Sequence, residues 1–374
     1  AMLKRASVLL IRPSTSSIAV RNFYHESREH SINFNKALEF NQHGKPSEVV
    51  KLKDYLGSPL PPLGLGEIRV KMLNAAVNLQ DLWKIQGNIS SSSDLSSVPG
   101  DEGVGVVMDN SGDPEIEVGT WVIPARPGLG TWRSFITGPI SDFITVRNDI
   151  PPEVAACLFV SPVTALKLVR DFVSLEIGDV VVQNGGSGLV AQTVAQLAHK
   201  QGVKVISVMR QRGLDEYGEI VERTKKDGAY IAVSEEHINT PHFRNLIADL
   251  PAPKLALDCS GGKSATNIAR LLGEGGTMVS YGNASREPVL LPTNLFLERG
   301  IKLKTFNFEQ WLKTATLREK YSNIDYLAKL VAENQLNIWV ESFDMWDFQS
   351  VFTEMMYPRE RKLVFATHKI EKEQ

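Results

Sequence analysis

The chain has 374 residues, 43% hydrophobic and 22% charged, which is enough for two or three domains with a sizeable core. Lys and Arg number 41 against 43 Asp and Glu, a formal charge of −2 that gives no basic surface for nucleic acid. No apolar run reaches the roughly 18 residues of a membrane span, and two cysteines, Cys157 and Cys259, exclude a disulfide framework or a cysteine-rich zinc lobe.

The first 25 residues carry Lys4, Arg5, Arg12 and Arg21, hydroxyls at Ser7, Ser14, Thr15, Ser16 and Ser17, and no acid before Glu26. An arginine-rich, hydroxyl-rich, acid-free leader is the signature of an organelle transit peptide, and the apolar stretch Val8 to Ile11 is too short for a secretory signal. Residues 1–25 are therefore expected to be a mitochondrial transit peptide, with the matrix as destination.

Residues 31–150 are rich in Pro, Gly and short β-branched runs, such as Ile68-Arg69-Val70 and Val104-Gly105-Val106-Val107. They predict short strands between turns and a mainly β domain, barrel-like. Residues 151–306 alternate between strands and helices. Strands are predicted at 179–183, 203–208, 229–233, 254–260, 277–281 and 301–306, with helices such as 189–201 and 264–272 between them. That alternation implies an α/β fold with a doubly wound parallel sheet. After residue 307 an amphipathic stretch near 324–333 precedes a last strand, 362–366, expected to pair with the β domain and complete it from 307–374.

The strand Val180-Val181-Val182-Gln183 runs into Asn184-Gly185-Gly186-Ser187-Gly188-Leu189-Val190-Ala191 and then a helix. Small residues at Gly185, Gly188 and Ala191 have the spacing of the dinucleotide fingerprint, with Ala in the third place. A tight turn lets backbone N–H groups approach a pyrophosphate, and the helix N-terminus adds partial positive charge. The next strand ends in Met209-Arg210-Gln211-Arg212, with no acid until Asp215. Two guanidinium groups where an NAD enzyme would place a carboxylate suit a 2′-phosphate, so NADPH is the expected cofactor.

A catalytic zinc needs three ligands of Cys, His or carboxylate type. The two segments where such ligands would stand read Asn78-Leu79-Gln80-Asp81 and Gly100-Asp101-Glu102, and no His lies between His43 and His199. No metal is expected, which leaves hydride transfer to an activated carbon–carbon double bond.

The chain resembles the mitochondrial trans-2-enoyl-thioester reductases, the enoyl-CoA or enoyl-acyl-carrier-protein reductases of the zinc-independent medium-chain dehydrogenase/reductase superfamily. The resemblance is carried by Ile85-Gln86-Gly87-Asn88, Gly100-Asp101-Glu102-Gly103, Gly130-Thr131-Trp132-Arg133, the long run from Lys254 to Ser264, and Gly275 to Gly282. It implies a GroES-like catalytic domain joined to a Rossmann cofactor domain, and a homodimer formed through the edge of the cofactor sheet, at 277–281 and 301–306. It also implies cofactor contacts from Ser187, Gly188, Leu189 and Val190 to the pyrophosphate, and from Arg210, Gln211 and Arg212 to the 2′-phosphate. Tyr281, Gly282, Asn283 and Ala284 would line the nicotinamide ribose. Phe306, Asn307, Phe308, Ser161 and Lys362 would lie nearby.

Three positions depart from the family. The tyrosine that follows Ile-Gln-Gly-Asn, the proposed proton donor to the substrate α-carbon, is Ile89; a family tryptophan is Asn307; an asparagine is Ser161. Isoleucine has no proton to give, so the catalytic residues stay open, with Trp132 and Thr164 as candidates. The expected activity is NADPH-dependent reduction of enoyl thioesters of acyl-carrier protein or CoA in mitochondrial fatty acid synthesis, weakened by Ile89. The alternatives are an NADPH-binding paralog without reductase activity, or a quinone or enone reductase. Lys84, Arg126, Arg133 and Lys304 are the basic residues that could steer an acidic carrier protein.

Overall fold

The structure, a computed structural model, describes residues 35–55, 60–88, 97–210, 214–354 and 361–367. The predicted leader, residues 1–25, lies outside them.

Seven strands come first: β1 (Lys36–Glu39), β2 (Lys51–Asp54), β3 (Glu67–Ala76), β4 (Gly103–Asp109), β5 (Trp121–Pro124), β6 (Phe135–Pro139) and β7 (Phe143–Val146). β1 and β2 form a hairpin-like pair of their own, and the rest build around β3. Along β3 every second side chain from Ile68 is buried, the period-2 pattern of a strand with one face on a core. Six strands follow: β8 (Val180–Gln183), β9 (Lys204–Met209), β10 (Ile231–Ser234), β11 (Leu255–Asp258), β12 (Thr277–Ser280) and β13 (Lys302–Thr305). They form one parallel sheet in the order β10-β9-β8-β11-β12-β13, so the fold is α/β with a doubly wound sheet. All four side chains of β8 are buried, as expected of a central strand covered by helices on both faces.

The last strands are β14 (Val340–Asp344) and β15 (Lys362–Ala366). β15 runs parallel to β14 and antiparallel to β3, placing Val364 opposite Ala76. The C-terminal strand thus enters the first sheet, whose order is β14-β15-β3-β4-β5-β7, and β6 pairs with the first half of β3 on the same edge as β15.

Six helices matter for the site: α1 (Leu79–Ile85), α2 (Ser161–Arg170), α3 (Leu189–Lys200), α4 (Gly262–Ala269), α5 (Phe308–Thr314) and α6 (Leu317–Ala332). The amphipathic stretch predicted at 324–333 is the second half of α6. Its first half is fixed by the Thr316 cap, whose hydroxyl accepts the Glu319 N–H at 3.1 Å. A continuous apolar core joins β4 and β5 to α2, α3, β8 and α6 through Val104, Ile123, Leu166, Val181, Val194 and Leu327. Burial on that scale, at about 2 kcal/mol per large side chain, ties the two sheets together.

One expectation is corrected here. β12 is hydrogen-bonded on both sides, to β11 and β13, so residues 277–281 cannot form a sheet edge. Of the two predicted contact strands, β13 is the one at an edge of the sheet.

Candidate active site

The glycine turn lies where β8 ends. Gly185 adopts φ +59°, and a Cβ there would lie 2.3 Å from Cys259 Sγ. A Cβ on Gly186 would meet Met209 and Ser207 at 2.9 Å. The turn is pinned from below: the Asn184 amide donates to Asp258 Oδ1 at 2.7 Å and Ser264 Oγ at 3.1 Å, while its oxygen accepts the Cys259 N–H at 2.8 Å. Asp258 also accepts the N–H groups of Ser260 and Gly261, and the Ser280 hydroxyl. Gly188 caps α3 with no side chain, so the first-turn N–H groups face outward along half-buried Ser187, Leu189 and Val190. This side-chain-free cradle on a helix N-terminus fits a pyrophosphate. Arg210 stands exposed at the end of β9, where a 2′-phosphate would project. Gln211 and Arg212 lie outside the described residues.

A buried polar chain runs from α1 through Glu102 to the start of α2 and to β15. Glu102, 2% exposed, accepts the N–H groups of Phe159 (3.0 Å) and Val160 (2.8 Å) at the start of α2. Its other oxygen accepts the Asn78 amide at 3.2 Å, and Asn78 Oδ1 accepts from Lys362 Nζ on β15. Burial pushes the Glu102 carboxyl above the usual range, and Lys362 with these donors works against that rise. Asn78 also caps α1 in a capping box with Asp81, whose Oδ2 accepts the Asn78 N–H at 2.8 Å. Burial first, and then Asp101, push Asp81 up to about 7. At the end of α1, Lys84 forms an ion pair with Asp101, whose second oxygen accepts the Gly128 N–H at 2.8 Å.

The remaining predicted residues have different surroundings. Tyr281 is half-buried beside Cys259; burial, then Cys259 and Asp258, hold its phenol well above the ordinary range, so it stays protonated. Gly282, Asn283 and Ala284 form the exposed loop after it. Ser161 opens α2 beside Val160. Asn307 caps α5, its side chain accepting the Gln310 N–H at 2.9 Å. The rings of Phe306 and Phe308 pack edge-on to Phe172 and Phe159.

Trp132 is withdrawn as a substrate donor. It is fully buried, its indole N–H donates to Ala76 O at 3.1 Å, and its ring packs on Phe365 and Phe352. Thr164, 5% exposed, donates its hydroxyl to Val160 O at 2.7 Å and would have to release that bond to reach a substrate. Ile89 lies outside the described residues. Of the basic residues proposed for steering, Lys84 is paired with Asp101, Arg126 is held bidentately by Asp142, and Arg133 bonds the carbonyls of Gly130 and Leu129. Lys304 is exposed beside the Phe172 ring, and Arg126, though paired, is exposed as well.

The polar chain from Asn78 to Lys362 escapes sequence reasoning. Asn78 and Asp81 stand out in the sequence only as positions unfit for zinc, and Asp101 and Glu102 only as that and as part of a family-like segment. Among the described residues, no group of three His, Cys, Asp or Glu side chains is placed to hold a metal.

No family model matches the chain. Among curated proteins, it is 35% identical over 349 residues to a mitochondrial enoyl-[acyl-carrier-protein] reductase of Dictyostelium discoideum, covering 92% of this chain and 98% of that one. It is 38% identical over 325 residues to the human protein of the same name, covering 86% of each. Among solved structures, an Etr1p complex with NADP and crotonyl-CoA superposes with a TM-score of 0.80 at 27% identity, covering 89% of this chain and 99% of that one. A Bacillus thuringiensis protein described as a putative NADPH:quinone reductase superposes with a TM-score of 0.77 over the same shares at 21% identity, a likeness of fold alone. With its cofactor cradle, its two-sheet architecture and relatives this similar over nearly their whole length, the chain belongs to the mitochondrial enoyl-[acyl-carrier-protein] reductases of the medium-chain dehydrogenase/reductase superfamily.

Proposed function

We propose that this protein reduces trans-2-enoyl thioesters, carried on acyl-carrier protein or CoA, with NADPH in the mitochondrial matrix, as a step of fatty acid synthesis. The observation that carries the reading is the glycine cradle at the N-terminus of α3, with Arg210 at the adjoining strand end. The Etr1p complex with NADP and crotonyl-CoA supports it. When bound, NADPH supplies the hydride. The chain's own part is to hold the two reactants in register, an effect worth about 7–11 kcal/mol at best. Glu102 does this indirectly, because it fixes the start of α2 against Asn78 and Lys362. As the double bond is reduced, negative charge gathers on the thioester oxygen and the α-carbon takes a proton. Ile89 cannot give one, so water does, and turnover is reduced rather than lost; a placed acid contributes about 10²–10⁴-fold.

The test is NADPH oxidation with crotonyl-CoA for wild type beside Ile89→Tyr. Slow wild-type turnover, raised about tenfold or more by the tyrosine, is the expected result. A silent wild type that binds NADPH and is rescued by the tyrosine would mark a retired reductase kept for binding. Silence in both, with cofactor bound, would favour quinones or other enones, whose products take a proton from solvent. Arg210→Ala should weaken NADPH at least about tenfold, one lost charge-assisted contact, and leave NADH unchanged. Equal effects on both cofactors would remove Arg210 from the 2′-phosphate.

A further inference from the structure

Lys84 stands where the two domains face each other. On α1 its neighbour Trp83 lies under the guanidinium of Arg286, 5.5 Å from the ring centroid, and Arg286 belongs to the loop that follows Tyr281. Glu309, in the first turn of α5, acts electrostatically on Lys84, and Lys362 acts on Asp81, one turn back on α1. The loop that follows Tyr281, the start of α5 and Lys362, which lie in or beside the segments that the resemblance places at the nicotinamide, thus gather around this helix. Asp101 anchors the ammonium and is itself held by the Gly128 N–H, so Lys84 is fixed in place. The pair is partly open, with side chains 21% and 16% exposed. Of the three N–H groups of an ammonium, Asp101 is the one partner among the described residues.

We propose that Lys84, positioned by Asp101, is a catalytic residue that meets the thioester oxygen of the substrate and stabilises the negative charge formed there. The inference rests on the enoyl-thioester reading. Hydride addition at the β-carbon moves the double-bond pair toward the carbonyl, placing charge on its oxygen. Lys84 keeps its proton throughout, and the α-carbon is protonated by water. Burial works against the ammonium, but Asp101, with Asp81 and Glu309, holds it above the usual lysine range, which suits an electrostatic donor and not an acid. A chain with Ile89 in place of a tyrosine needs such a group, because charge that is not promptly protonated must be held.

The probe is acetoacetyl-CoA, bound to the protein with oxidised cofactor so that no reduction occurs; its enolate absorbs in the near ultraviolet. On wild type and Lys84→Arg, the enolate should form about one pH unit below its midpoint in water, a tenfold gain, and Lys84→Met should lose that gain. In turnover of crotonyl-CoA, Lys84→Met should lower kcat about 10- to 100-fold with KM and NADPH affinity little changed, and Lys84→Arg should retain most activity. Adding Ile89→Tyr should shrink the cost of Lys84→Met. An enolate midpoint that is the same in wild type and Lys84→Met, or no binding of the probe, overturns the inference, as does unaltered kcat in Lys84→Met. If wild type does not reduce crotonyl-CoA, the reductase reading falls by itself, and the midpoint comparison still decides whether Lys84 meets a thioester oxygen.

Discussion

At Asp81, helix capping and charge burial pull in opposite directions. One oxygen closes the capping box with Asn78, while the other is buried and has no partner among the described residues. In an unfolded chain this carboxyl ionises near 3.8; in the fold, burial and then Asp101 raise it to about 7. The folded state therefore holds the proton more tightly, and stability from this group is complete below about pH 4 and is lost as the pH climbs to about 7. A shift of that size is worth at most about 4 kcal/mol. Asp81→Asn keeps an oxygen for the Asn78 N–H and removes the ionisation. It should match wild type at pH 4 and exceed it by up to about that amount at pH 8 in urea unfolding. Parallel stability curves for the two proteins would refute buried ionisation at this position.

The loop from β8 to α3 shows how far an element can be read from its residues. Gly185 combines a left-handed φ with a neighbour, Cys259 Sγ, that would sit 2.3 Å from any Cβ. Gly185→Ala should therefore push the turn off its seat and weaken NADPH binding at least about tenfold, a backbone strain of 1–3 kcal/mol passed to the cradle. Adding Cys259→Ala removes the sulfur and should recover part of the affinity in a fluorescence titration; no recovery would mean that φ alone sets the cost. This element is legible because strand, glycines and helix are contiguous, and local geometry dictates the residues. The same holds for the six parallel strands, each within a few residues of its predicted place. The buried polar chain is different. Glu102, Asn78, Lys362 and the N–H groups of Phe159 and Val160 come from four distant segments, and only closure of β15 onto β3 brings Lys362 to Asn78. Nothing local marks them as partners. Trp132 misleads for the converse reason, since an indole in a family-like motif reads as functional until its N–H is found on Ala76 O.

For the whole molecule, the edge of the cofactor sheet is the unsettled surface. All four residues of β13 are exposed, including Leu303 at 46%, although its inner side is paired with β12. The N–H groups of Lys302 and Phe306 donate inward, to Gly276 and Ser280. Alternation along a strand then turns those of Leu303 and Thr305 outward, leaving donors and acceptors for another strand. An open edge with an apolar side chain invites pairing, and a second copy of the chain offering the same edge would cover it in a closed two-fold arrangement. Leu303→Pro tests this without breaking the ladder to β12: it deletes an outward N–H, and its restriction on Lys302 is one that a strand residue already meets. Sedimentation of wild type should give the dimeric mass, and Leu303→Pro should shift it to the monomer with NADPH binding retained. A monomeric wild type, or a dimer indifferent to the proline, would assign the association to another face. The distinction bears on activity, because β13 leads directly into residues 306–308, and fixing that edge in a dimer would steady the segment that carries Asn307 and the start of α5.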